Sequence, residues 1–248
     1  MMKKTISVAL LLSVLGGSLW AETIKVFAAS STKLAMSEIV QNFKAQNPDD
    51  TILITFSSTG KAYAQFSNGF DYDIFMAADS IYPAKIVSEG NAMSVPEVYA
   101  LGSIALYSNN GALIKQGIQA LKNENVKHIS IANPKLAPYG VAAMEIIKNY
   151  GLEEDASSKL VLGDNIAQSV QFVDSGAADI GLVAFSLIKS SKESSHYAMI
   201  DPAKYTPLEQ AFVVTKYAKN KPLALKFSKF ILSKASQSVF VKYGFETK

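Results

Sequence analysis

Ile24-Lys25-Val26-Phe27-Ala28-Ala29-Ser30-Ser31-Thr32 and Ile52-Leu53-Ile54-Thr55-Phe56-Ser57-Ser58-Thr59-Gly60-Lys61 decide the fold. Each is a short β-type run that ends in small hydroxyl residues and passes into a segment of helical character. A strand that ends this way and opens a helix aims several unpaired N–H groups at one spot, and the helix dipole makes that spot mildly positive. Such a turn suits an anion. For either turn alone, Ser and Thr acting as N-caps is a sufficient reading. Two such turns in one half of the chain point to a ligand held between them.

The same alternation runs outward from these turns. After the first comes a helix with Met36, Ile39, Val40 and Phe43 on one face. Asn47-Pro48-Asp49-Asp50 stops it. Asp73–Ala77 reads as a third strand, followed by a helix over about 83–89. Leu101–Tyr107 reads as one further strand and Ala112–Leu121 as a helix. His128–Ala132, Leu160–Leu162, Ile180–Phe185, His196–Ile200 and Ala211–Val214 read as strands. Helices are expected from Pro138 to Tyr150, over Ile166–Asp174, and at the end over Pro222–Leu232 and Ala235–Lys242. Strand–helix alternation occurring twice predicts an α/β protein of two lobes, each a parallel sheet with covering helices. The last two helices have no strands of their own, so they are expected to return to the first lobe. The expected division is 22–103 for the first part of lobe 1, 104–211 for lobe 2 and 212–248 for the return. The ligand cleft would lie between the lobes, at the strand C-termini.

Residues 1–21 stand apart. Lys3-Lys4, the apolar Ile6–Leu15 and the small-residue exit Gly16–Ala21 read as a secretory signal peptide cleaved after Ala21. The apolar run is shorter than the ~20 residues of a spanning helix. Losing Lys3 and Lys4 takes the formal charge from +3 to +1, so the exported chain is near neutral. With 49% hydrophobic and 18% charged residues among 248, it has ample core. There is no Cys, hence no disulfide, thiolate site or lipidated anchor. There is no Arg, hence no bidentate clamp on an anion. No basic stripe is interleaved with aromatics, so nucleic acid is not an expected partner. An unanchored exported binder fits a periplasm.

The sequence lacks the parts of a catalytic centre. It has no HExxH, GxSxG, Walker or dinucleotide motif. His128 and His196 lie in or beside strands, away from any Ser or acid motif. Thr59-Gly60-Lys61 only faintly resembles the end of a phosphate loop. Asp71, Asp73 and Asp79 do not have calcium-loop spacing, and capping or turn roles explain them. The second half offers two more helix starts, Pro138-Tyr139-Gly140 and Asp164-Asn165-Ile166. Four helix N-termini, two per lobe, would give neutral donors only. That suits a fully ionised tetrahedral oxyanion, which a carboxylate acceptor would repel.

These stretches together resemble the periplasmic molybdate-binding proteins of ABC importers (the ModA family), over essentially the whole mature length. The resemblance is carried by Val26–Ser31 with Ala35-Met36, Phe56–Lys61, Asp73–Asp79, Asn133-Pro134 with Pro138 and Gly140, Asp164–Ile166, Asp179–Val183 and Tyr243-Gly244-Phe245. It implies a two-lobed type II periplasmic-binding-protein fold that closes on molybdate, and often on tungstate. It implies an oxyanion contact through hydroxyl and N–H at Ser31, a second at Thr59 with Ser58 beside it, and backbone donors at Tyr139 and Ile166. A Tyr found in some members falls on Ala184, where its hydroxyl is missing and Ser186 or water is left to replace it. The metal would be held only as oxyanion by these residues. No cofactor and no catalytic residue is expected; the partner is a membrane permease, and the chain is expected to be a monomer. Two alternatives stand beside this reading: a binder of sulfate or phosphate, and an exported serine hydrolase using Lys61.

Overall fold

A computed structural model describes residues 21–247; the expected signal peptide lies, but for its last residue, outside them. The first half runs β1 (Thr23–Ala29), α1 (Lys33–Gln46), β2 (Thr51–Ser57), α2 (Thr59–Ser67), β3 (Ile74–Met76), α3 (Ile81–Ser88) and β4 (Glu97–Gly102). The second runs β5 (Ile104–Tyr107), α4 (Gly111–Ile114), β6 (Ile129–Ala132), α5 (Pro138–Asn149), α6 (Glu153–Ser157), β7 (Leu160–Gly163), α7 (Ile166–Asp174), β8 (Ile180–Ala184) and β9 (Tyr197–Met199). The chain then returns through β10 (Leu208–Val214), α8 (Pro222–Ile231) and α9 (Lys234–Lys242).

The strands form two five-stranded sheets, ordered β2-β1-β3-β10-β4 and β7-β6-β8-β5-β9. In the first, β1 lies parallel to β2 and β3, and β10 runs antiparallel to β3 and β4. In the second, β6 lies parallel to β7 and β8, and β5 runs antiparallel to β8 and β9. Each sheet is one lobe, covered by helices on both faces.

Period-2 alternation explains how both faces of the first sheet are buried. Val26, Ala28, Ile74, Met76, Phe212 and Val214 point to one face, where Met36, Ile39 and Phe43 of α1 pack with Phe227 and Phe240 of the returning helices. Phe27, Phe75 and Val213, one residue out of step, point to the other face, against Ala62 and Phe66 of α2. The aromatic contacts are close: Phe27 and Phe75 centroids lie 4.5 Å apart, and Phe43 meets Phe227 edge-on at 5.0 Å. The last two helices therefore pack on the first sheet.

Four expectations differ from the structure. Each expected parallel sheet is mixed, because β5 and β10, which follow the two crossings, enter their sheets antiparallel. Leu101–Tyr107 is not one strand. Gly102 ends β4 in the first sheet, Ile104 opens β5 in the second, and the chain crosses between lobes at Ser103. The expected lobe change between 103 and 104 sits at this crossing, but β-type residues on both sides of Gly102-Ser103 read as one strand because both strands are buried. The expected helix Ala112–Leu121 is a single turn, α4, followed by a 3-10 segment over Gly117–Lys122. Gly117 has φ +57°, a left-handed conformation that ends a right-handed helix. Finally, β10 is bonded along its length to strands of the first sheet, so the expected break at 211/212 falls inside a strand. The return crossing lies between β9 and β10.

Candidate functional site

Four strand ends meet where the two lobes face each other. β1 and β2 deliver the two hydroxyl turns; β6 and β7 deliver the starts of α5 and α7. They enclose a small pocket of about 200 Å³ including its mouth. Ser30, Ser31, Ser57, Ser58 and Thr59 line it from the first lobe, with Ala29 and Ala78; Ala137, Pro138, Tyr139 and Ile166 line it from the second. All five residues expected at the site, Ser31, Ser58, Thr59, Tyr139 and Ile166, are therefore brought to one pocket. No carboxylate, lysine or histidine lines it.

The hydroxyls of the first lobe are not spent on capping. Ser58 is the N-cap residue of α2, yet its side chain makes no capping bond. Its Oγ is buried and has no hydrogen-bond partner among the described residues. Buried hydroxyls are nearly always paired, so this one is an exception that asks for a ligand. Thr59 is also buried, and its Oγ1 accepts the Ala78 N–H at 3.0 Å. That acceptor role leaves the Thr59 proton free to donate elsewhere. Thr32 donates to the Ala29 carbonyl at 2.7 Å and stays out of the pocket. Ser31 differs from the simple expectation: its hydroxyl donates to Gln210 Oε1 at 3.2 Å.

The second lobe offers backbone. Pro138 fills the first position of α5 and has no N–H. Gly140 and Val141 both donate to the Ala137 carbonyl, at 2.9 and 3.2 Å. The Tyr139 N–H is left as the first free donor of that helix. At α7, the Asn165 side chain accepts from Ala167 and Gln168 N–H at 3.0 and 3.2 Å. It is a true cap, and it leaves the Ile166 N–H to the pocket. Both helices exceed two turns and point their positive ends at the same place.

The lobes are closed on each other. The Gly60 N–H donates to the Leu136 carbonyl at 2.9 Å, and Ser186 Oγ donates to the Ser31 carbonyl at 2.8 Å. Lys61 Nζ of the first lobe stands 3.6 Å from Asp164 Oδ2 of the second, an exposed pair worth little in stability. Ser186 thus uses its proton on backbone and does not replace the missing hydroxyl at Ala184, which is buried at the end of β8 and does not line the pocket. Burial pushes the Tyr139 phenol well above its ordinary pKa, against the opposing influence of the neighbouring Ser31, Gln210 and Ser186 side chains. The phenol is therefore neutral at physiological pH.

The remaining polar candidates have other work. Asp71 pairs with Lys25 at 2.8 Å, and the buried Asp73 pairs with Lys221 at 2.8 Å while accepting the Lys25 N–H. Asp79 accepts the Tyr82 N–H at 3.1 Å in the first turn of α3. Among the described residues no group of three His, Asp or Glu is placed to hold a cation. His128 is exposed, and neither it nor His196 reaches the pocket. Sequence reading missed Gln210 and Tyr99. The available signal was a Gln in the apolar run Leu208–Val214, at a position that proves fully buried.

A family model described as bacterial extracellular solute-binding protein matches residues 24–246. The molybdate-binding protein ModA of Azotobacter vinelandii is 33% identical over 228 residues, covering 91% of this chain and 90% of that one. The molybdate-binding protein ModA of Rhodobacter capsulatus is 32% identical, covering 92% and 89%. The solved periplasmic molybdate-binding protein of Azotobacter vinelandii superposes with a TM-score of 0.85 at 28% identity, covering 91% of this chain and 99% of that one. The two-lobed fold expected from the sequence is the fold of that structure, and the chain belongs to the bacterial extracellular solute-binding protein family.

Proposed function

We propose that the chain is a periplasmic solute-binding protein that captures molybdate, and tungstate with it, and delivers it to the membrane permease of an ABC importer. The observation that carries this reading is the pocket's donor set. It comprises buried hydroxyls, one of them unpartnered, and free helix N–H groups, with no charged side chain among the lining residues. A fully ionised tetrahedral oxyanion satisfies such a set from all sides. In a dry, preorganised site, oriented dipoles hold a dianion without a countercharge. Hydrogen phosphate would leave its own proton without a carboxylate acceptor. The relatives named for molybdate binding support the choice among oxyanions.

In this reading Ser31, Ser58 and Thr59 form the first-lobe wall, and the N–H groups of Tyr139 and Ile166 the second. The oxyanion is cargo, not a cofactor. The anion lands on one lobe, the other closes by a hinge at the β4–β5 and β9–β10 crossings, and the closed monomer docks on the permease. The leader is removed after Ala21. A hydrolase reading finds no support in the pocket, since no general base lies beside its serines.

Calorimetry of residues 22–248 against molybdate, tungstate, sulfate and phosphate tests the proposal. Trp20 is the chain's single Trp and leaves with the leader, so tryptophan fluorescence has nothing to report. One-to-one binding of molybdate or tungstate without heat from sulfate is expected. Silence with both metal oxyanions, or equal binding of sulfate, would overturn it.

A further inference from the structure

Gln210 lies on β10 where its pairing with β4 slips between Gln210 and Ala211. A bulge of this kind re-aims a side chain. The residue is fully buried, and both ends of its amide are bonded. Oε1 accepts from Ser31 Oγ at 3.2 Å and lies 3.1 Å from the Tyr99 hydroxyl, whose one proton is shared with the nearer Ala77 carbonyl at 2.9 Å. Nε2 donates to the Tyr139 hydroxyl at 3.0 Å. Ser31 and Tyr99 belong to the first lobe, Tyr139 to the second. One amide therefore joins the lobes directly beside the pocket. Gly102, the last residue before the crossing, makes room for it. A Cβ there would overlap the Tyr139 hydroxyl and stand 2.6 Å from Gln210 Nε2.

We propose that Gln210 is a positioning residue for the oxyanion site: it bonds Ser31 of one lobe and Tyr139 of the other together only when the lobes close, and so ties closure to assembly of both walls. This rests on the oxyanion reading above. Gln210 lies outside the pocket lining, so it acts through the two residues it holds. The Ser31 contact takes that hydroxyl's one proton and fixes the residue in the pocket wall, so that Ser31 meets the oxyanion through its N–H. The Tyr139 contact fixes the residue whose N–H opens α5.

The test is a cycle read by calorimetry with molybdate on residues 22–248, with thermal unfolding of each ligand-free variant alongside. Gln210→Met keeps length and removes both bonding ends; Tyr139→Phe keeps the ring and the backbone donor. Gln210→Met should weaken binding about tenfold in the parent chain, the scale of one lost hydrogen bond. In the Tyr139→Phe chain it should weaken binding no more than about threefold, because the bond across the lobes is already gone. Equal losses in both backgrounds would overturn the proposal and leave Gln210 a space-filler. A second arm leaves Gln210 untouched. Gly102→Ala should weaken binding, and adding Tyr139→Phe should recover part of that loss by removing the overlapped oxygen; no recovery contradicts the proposal even if Gln210→Met does not fold. A parent chain that binds no molybdate defeats the oxyanion reading itself, whereas a parent that binds with uncoupled variants defeats only the role of Gln210.

Discussion

In the proposed site the two walls of the pocket hold the oxyanion with different materials. The first lobe presents side-chain hydroxyls at Ser31, Ser58 and Thr59; the second presents the backbone of Tyr139 and Ile166. On the first wall the residue type is the chemistry, and hydroxyls are left off their helix caps to supply it. On the second wall a proline and a capping asparagine satisfy or delete the neighbouring N–H groups, so that one donor per helix remains. Changing a side chain should therefore injure the first wall directly. The second wall should yield only to changes that move its helix.

A charge inside the first wall gives the sharpest contrast. Ser58→Asp puts a carboxylate where Ser58 Oγ now has no partner, facing a dianion in a buried site. Its cost should exceed about 3 kcal/mol, the scale of an uncompensated buried charge, and titration with molybdate should show no binding at micromolar protein. Deleting single hydroxyls comes next. Ser58→Ala and Thr59→Val should each weaken binding by roughly 1–3 kcal/mol, the value of a hydrogen bond to a charged group, and Ser31→Ala by about 1 kcal/mol through the lost bond to Gln210. Unchanged affinity in all three would erase the distinction between the walls. Ile166→Val should leave affinity within about 0.5 kcal/mol, since the donor is backbone. Asn165→Ala should instead lower stability by about 1 kcal/mol through the lost cap, seen as a lower denaturant midpoint.

How far these walls were legible in the chain follows from the same difference. Hydroxyls after β-type runs are written in residue types, so the two turns could be named from them, while Ser31, Ser58 and Thr59 within those turns came through the family resemblance. Tyr139 and Ile166 were reachable as helix starts flanked by Pro138 and Asn165, though their identity as members of one site came through the family resemblance. Strands and long amphipathic helices were legible because burial imposes period 2 or 3.6. What stayed hidden depended on tertiary context. The expected division already changes lobe between 103 and 104, but that Leu101–Tyr107 is two strands of different sheets was hidden, since β-type residues on both sides of Ser103 are equally buried. The role of Gln210 depends on a bulge and on a tyrosine far away in sequence, and no local pattern announces either.

The smallest effect concerns Asp79, beside the first wall. Burial holds its carboxyl above the ordinary range, against the lowering influence of the Tyr82 and Ile81 N–H groups. A carboxylate whose pKa is raised on folding favours the native state when protonated, and that contribution is lost as pH rises through the folded value. Asp79→Asn keeps an acceptor for Tyr82. It should therefore be slightly more stable than the parent at neutral pH, with the difference vanishing as pH falls below the unfolded carboxyl value. Denaturant midpoints taken at both pH values check this; a difference that grows toward acid would contradict it.

The central claim is that both walls grip one tetrahedral oxyanion, and anomalous scattering from tungsten tests it most directly. Crystals of residues 22–248 grown with equimolar tungstate should show a single strong tungsten peak in the pocket. Its oxygens should lie about 2.7–3.2 Å from the hydroxyls of Ser58 and Thr59 and from the N–H groups of Tyr139 and Ile166. A peak elsewhere, or one contacting a single wall of a closed protein, would contradict the account.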